Sequence, residues 1–160
     1  MWWRLARSQW NLQKGEGNRK ALRKLVARGR VPGFLAYDRG NPVGWCAIEP
    51  RENYPVLERS RSLARIDDRP TWSVTCLFVA RTYRRKGVST ALLKAAVRHA
   101  RRHGARLVEG YPTESRDGRF PDAFAFTGTV PAFTAAGFKE VARRSPTRPI
   151  MRNRYFSGAR

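Results

Sequence analysis

Residues Arg84, Arg85, Lys86, Gly87, Val88, Ser89 and Thr90 carry the clearest chemistry in the chain. They join a run that reads as a strand to a run that reads as a helix. A glycine at a helix start lets a bulky anion approach backbone N–H groups that have no partner inside the helix. The helix dipole adds about half a positive charge at that point. Arg84, Arg85 and Lys86 bring charge to the same place, and Ser89 and Thr90 bring hydroxyl donors. This donor set suits a pyrophosphate. It is neither of the common nucleotide loops: the Walker pattern's first glycine and its Lys-Ser/Thr ending are missing, and so are two of the three glycines of the dinucleotide pattern. The plain alternative is a strand-to-helix turn in a chain crowded with arginine.

The elements around the turn read as follows. "WSVTCLFVA" before it is almost wholly apolar or β-branched, as a strand covered on both faces requires. After it, Val88, Ala91, Leu92, Ala95, Ala96 and His99 keep helical spacing until Gly104, and "ARLVEGYP" follows as a strand. Strand, crossover helix and strand of this length make a parallel βαβ unit. Upstream, "NRKALRKLVAR" places Ala21, Leu22, Leu25 and Val26 on one helical face, with Asn18 as cap and Gly29 as stop. "PGFLAYD" and "PVGWCAIEP" form a hairpin through "RGN". Residues 50–71 are polar and proline-punctuated, with room for a short helix around "VLERSRSLA"; connections this long are often functional. "TVPAFTAA" gives a short helix ended by Gly137, and "FKEVARR" and "RPIMRNRYF" are the last strands. The expected fold is a mixed α/β domain spanning residues 1–160, parallel only where "WSVTCLFVA" meets "ARLVEGYP".

Composition adds bounds. At 160 residues and 41% hydrophobic, the chain is long enough for its own core. No apolar run approaches the roughly 20 residues that span a bilayer, so no membrane role and a cytoplasmic location are expected. Cys46 and Cys76 each sit in an apolar run and read as buried thiols, while His99 and His103 lack further partners for a metal site. The net charge of +21 attracts anions at long range. The cations are spread along the chain rather than gathered in a stripe, so a nucleic-acid partner is the weaker reading of that charge. The oligomeric state stays open, a dimer included.

At these residues the chain resembles the GCN5-related N-acetyltransferases. Their signature is Arg or Gln, two residues, Gly, one residue, then Gly or Ala. Arg84, Gly87 and Ser89 stand at those places, Ser89 departing at the last. "CLFVA" before the motif, "TALLKAAVRHARRHGARLVEGYP" after it and "FTAAGFKEVA" near the end extend the resemblance over about residues 18–156. It implies an acyl-CoA N-acyltransferase fold: a mixed sheet flanked by helices, whose fourth and fifth strands splay apart around the cofactor arm. It also implies acetyl-CoA as co-substrate and an amine as acceptor. Leu77, Phe78 and Val79 would pair through their backbone with the thioester and pantetheine arm. Arg84, Arg85, Lys86, Gly87, Val88, Ser89 and Thr90 would then cradle the pyrophosphate.

The resemblance thins at the catalytic residues. Family members often place a base on the fourth strand, but no Asp or Glu lies between Trp72 and Val79. Phe133 stands where many carry an acidic tyrosine. Substitutes are expected at the mouth of the splay: Glu109 and Tyr111, two residues apart on one side of a strand, with Glu49, Glu114 and Cys76 behind them. Trp45, Tyr54 and residues 50–71 are candidates to line the acceptor side, with Phe120, Phe124 and Phe126 opposite. A cationic cleft would repel a polycationic acceptor. The competing reading is a catalytically silent basic module on the same fold, bound to nucleic acid or the ribosome.

Overall fold

The computed structural model describes residues 1–114 and 126–154. Phe120, Phe124 and the end of "RPIMRNRYF" lie outside them. Six strands form one sheet in the order β1-β2-β3-β4-β6-β5: β1 Gly33–Asp38, β2 Asn41–Pro50, β3 Trp72–Val79, β4 Leu107–Gly110, β5 Lys139–Arg143 and β6 Pro149–Arg154. Every neighbouring pair is antiparallel except β3 and β4, as expected. Because no strand precedes Gly33 among the described residues, the parallel pair is the third and fourth strands of this chain. The β1–β2 turn has Arg39 at φ 47° and Gly40 at φ 81°. Both central residues in the left-handed region match the twist of a two-residue hairpin.

The helices are α1 Arg7–Leu12, α2 Glu16–Ala27, α3 Pro55–Glu58, α4 Val88–Arg102 and α5 Val130–Ala135. Helix α4 lays Leu92, Leu93, Ala96, Val97 and Ala100 on one face of the sheet, against Cys46, Ile48, Val74 and Val108. A fully buried leucine of this kind contributes about 1.5–3 kcal/mol. Strand alternation sends the next residues to the opposite face: Met151 belongs to the α4 core, whereas Ile150 packs with Trp3, Tyr54, Leu57, Leu63 and Tyr111.

Three expectations need correction. Helix α1 was not foreseen. Helix α2 begins at Glu16, and Asn18 does not cap it but donates from its amide to the Trp10 carbonyl at 3.1 Å. The short helix of the long connection is only Pro55–Glu58, preceded by a 3₁₀ turn at Arg51–Asn53. The rest of that connection is held by side chains.

Candidate active site

Strand β3 pairs with β4 only from Trp72 to Val74, against Val108 to Gly110. Beyond Val74 the two strands part, and β3 carries an extra residue, Thr75, against β2. Such a bulge bends a strand and re-aims its side chains. Phe133 of α5, fully buried, fills the wedge: a Cβ on Gly110 would lie 1.9 Å from its ring, and one on Gly128 2.8 Å from it.

A cavity of about 470 Å³ opens along the parted edge of β3. Leu77 and Val79 line it from the strand, Tyr83, Arg84, Arg85, Gly87, Val88, Ser89 and Thr90 from the turn, and Phe126, Gly128, Thr129, Pro131 and Ala132 from the entry to α5. The turn has the shape its composition suggests. Arg85 at φ 61° and Gly87 at φ 78° both stand in the left-handed region, and nothing lies within 4 Å of the place a Gly87 Cβ would take. The first helical bond runs from the Ala91 N–H to the Gly87 carbonyl at 3.0 Å. The N–H groups of Val88, Ser89 and Thr90 therefore have no acceptor inside the helix. Arg84 is aimed by a bond from its Nε to the Val79 carbonyl at 3.2 Å.

Two of the residues expected at the cofactor stand differently by side chain. Phe78 points to the other face and is 55% exposed. The Lys86 ammonium lies 5.4 Å over the Tyr83 ring rather than against the cavity. Sequence reasoning missed Gly128 and Pro131, which carry no charge or motif to announce them.

Glu109 and Tyr111 do not stand at the mouth of the splay, and that placement is corrected. They lie beneath residues 51–69, in a row that crosses the sheet as Glu49, Ser73, Glu109 and Arg152. Glu109 is 2% exposed and Tyr111 0%. Arg152 Nε donates to Glu109 at 2.7 Å, and Arg51 Nη1 donates to Glu109 at 3.1 Å and to the Tyr111 hydroxyl at 2.6 Å. The Tyr111 hydroxyl donates to Glu109 at 2.8 Å and lies 2.9 Å from Ser73 Oγ. Burial, with the Glu109 charge behind it, pushes the Tyr111 phenol far above its ordinary range. Arg51 also donates to Glu58 and to the Leu57 and Leu63 carbonyls, which fastens the long connection to the sheet. The weaker candidates are also engaged: Glu49 pairs with Arg4 and Arg30, and Glu114 with Arg143.

Cys76 does line a cavity, a second one of about 100 Å³ on the face opposite α4. Trp2, Trp3, Arg4, Trp45, Tyr54 and Thr75 are among its walls. Burial raises the Cys76 thiol, so it stays neutral and unreactive. The Tyr54 phenol is pushed up to about 12 by burial, against the pull of Arg4, which stacks 4.6 Å over its ring. The Met1 α-amine lines the same space, and burial followed by the Arg4 charge holds it below its usual value. Phe126 borders both cavities.

The family model described as "Acetyltransferase (GNAT) family" matches residues 1–116. The chain belongs to that family. It is an N-acetyltransferase with acetyl-CoA as co-substrate. Among solved structures it is similar to an N-acetyltransferase from Staphylococcus aureus Mu50, at 15% identity and TM-score 0.59, covering 88% of this chain and 78% of that one. It is similar to ribosomal-protein-alanine N-acetyltransferase from Brucella melitensis, at 17% identity and TM-score 0.56, covering 88% and 78%. It is also similar to an aminoglycoside acetyltransferase crystallised with coenzyme A and kanamycin, at 17% identity and TM-score 0.57, covering 86% and 74%. No curated protein matches by sequence. Nothing in these likenesses supports the catalytically silent reading. Among the described residues, no helix is long and apolar enough to cross a membrane, and no group of three or more metal-ligating side chains comes together.

Proposed function

We propose that the chain moves the acetyl group of acetyl-CoA to a primary amine of a small molecule or protein, and that the two cavities flanking β3 hold the two reactants. The observation that carries this reading is the cavity along the parted edge of β3, which ends on the unpaired N–H groups of Val88, Ser89 and Thr90. The donor set fits the cofactor. Orphan amides, a helix N-terminus and Arg84 and Arg85 suit a pyrophosphate, and the extended edge of Thr75–Val79 suits an amide-bearing arm. Acetyl-CoA supplies an activated acetyl thioester: the amine nitrogen bonds to the acetyl carbon, the C–S bond breaks, and the proton given up by the amine ends on the thiol.

The attacking amine must be neutral. Among the described residues that line either cavity there is no carboxylate, and Arg4, Arg84 and Arg85 are the charged ones. Desolvation and nearby cations both disfavour an ammonium. Positioning supplies the rest, since well-aligned reactants gain about 7–11 kcal/mol. Glu109 and Tyr111 are read as fastening the 51–69 segment, from which Tyr54 reaches the acceptor-side cavity, not as base and acid.

The test is a melting experiment with acetyl-CoA followed by a thiol-release assay over a panel of amines. A ligand at 100 times its Kd adds about 2.7 kcal/mol. Stabilisation plus amine-dependent thiol release is expected; no shift at millimolar acetyl-CoA would overturn the reading.

A further inference from the structure

We infer that the cavity beside Cys76 selects an acceptor whose primary amine is carried on a compact apolar group of about one aromatic ring, and rejects polycationic amines. The inference rests on the proposed acetyl transfer and adds the class of acceptor. Its walls are aromatic and aliphatic: Trp2, Trp3, Trp45, Tyr54, Ala47 and Leu22. Its volume of about 100 Å³ is below the roughly 150 Å³ that encloses benzene in a protein core. A single ring would therefore enter it only in part, edge first, leaving its substituent at the mouth. The apolar surface continues outward along one register row, Leu35 opposite Trp45 and Trp45 opposite Phe78. Leu35 and Phe78 are 49% and 55% exposed, which leaves a hydrophobic approach to the cavity.

Connectivity places this cavity next to the chemistry. Thr75 and Cys76 line it, while Leu77 and Val79, the next residues of the same strand, line the larger cavity, and Phe126 borders both. The two cavities are thus separated by one strand and one phenylalanine, within reach of an amine carried on the ring.

Charge supplies the exclusion. Glu49, two residues beyond Ala47 on β2, is 4% exposed and already paired with Arg4 and Arg30. With Arg4 in the wall and a net charge of +21, a second or third ammonium on the acceptor would meet only like charge. A monoamine on an apolar ring loses one proton and buries its ring.

The full chain is assayed with acetyl-CoA and benzylamine, 1-naphthylmethylamine, glycinamide or spermidine, with product mass as readout and acetyl-CoA affinity measured by calorimetry. Benzylamine is expected to exceed spermidine and glycinamide in kcat/KM by at least tenfold. Trp45→Ala should shift preference toward 1-naphthylmethylamine, and Ala47→Phe should abolish acetylation of both ring amines, with acetyl-CoA affinity unchanged in each. Circular dichroism checks folding, and if Ala47→Phe does not fold, the preference shift in Trp45→Ala decides. Spermidine or glycinamide preferred over benzylamine would overturn the inference while leaving acetyl transfer standing, and so would an unchanged ring preference in Trp45→Ala. Acetyl-CoA that binds but acetylates none of the four amines would overturn it too. Acetyl-CoA that does not bind would overturn both.

Discussion

Gly87 is where a single side chain separates an anion cradle from a bare turn. Its φ of 78° suits glycine, and the space above it is open. A glutamate there would add strain, bulk and like charge where phosphate oxygens are expected. Gly87→Glu should therefore abolish acetyl-CoA binding in calorimetry while the far-ultraviolet spectrum persists. Arg84→Ala should weaken binding less, because one cation is one donor among several. Wild-type affinity in a folded Gly87→Glu protein would reduce the turn to a connection. Glu109 makes the opposite case, a residue chosen for chemistry that the structure encloses. Both Arg51 and Arg152 depend on its charge, and each is 1% exposed by side chain. Removing that charge leaves Arg51 with Glu58 and Arg152 with Asp67 as their remaining partners, so the roughly 3–5 kcal/mol typical of a fully uncompensated buried charge is the upper bound. Glu109→Gln should accordingly lower stability by up to that amount in denaturant unfolding, with kcat/KM kept in the fraction that stays folded. A large loss of kcat at unchanged stability would restore Glu109 as the base.

At the scale of elements, the parting of β3 and β4 depends on Phe133. Its ring sits against Gly110 at the end of β4, so Gly110→Ala drives a methyl into an aromatic edge. Overpacking of this kind costs about 1–3 kcal/mol. The expected result is a lower unfolding midpoint together with weaker acetyl-CoA binding, because the splay shifts with the ring; a fully stable variant would mean that α5 gives way instead. These elements also divide what the chain discloses from what it conceals. The turn, α4 and the parallel pair were legible because their signals are local: a periodicity of 3.6, a β-branched run and a glycine at the junction. Helix α1 was not, since "RSQWNL" carries no apolar stripe and buries none of its side chains. The partners of Glu109 were illegible for another reason. Arg51 and Arg152 stand 58 and 43 residues away, and only β-register brings them to it. A carboxylate near a strand end looks the same in sequence whether it meets substrate or a guanidinium. Phe126 lay in an unpatterned stretch, and its place between two cavities follows from tertiary packing alone.

For the whole molecule, the balance of 33 cations to 12 acids leaves most of the described carboxylates paired with a guanidinium. Asp67 is held well below its ordinary 3.8 by hydrogen bonds from Arg69 and then Arg152. Glu140 is held below 4.5, chiefly by its bonds from Arg143. A depressed folded-state pKa means the unfolded chain takes up the proton first. Each contribution is thus complete above the unfolded value and is lost as pH falls through the folded one. His99 acts in the same direction, because burial, then His103 and Arg102, lower its pKa from 6.5. The unfolded chain therefore gains a proton near pH 6.5 that the folded chain resists. Protonation also adds to a net charge already at +21, and self-repulsion favours expansion. Every slope on the acid side has one sign. The melting temperature should decline slightly as pH falls through 6.5 and drop steeply below about 4.5. Asp67→Asn should be less stable than the parent at pH 7, and the two curves should draw together as pH falls below 3.8, where the unfolded parent's carboxyl takes up its proton ahead of the folded one. Calorimetric scans of both proteins across this range decide the point, and a gap that widened on acidification would show that Asp67 does not hold Arg152 through its charge.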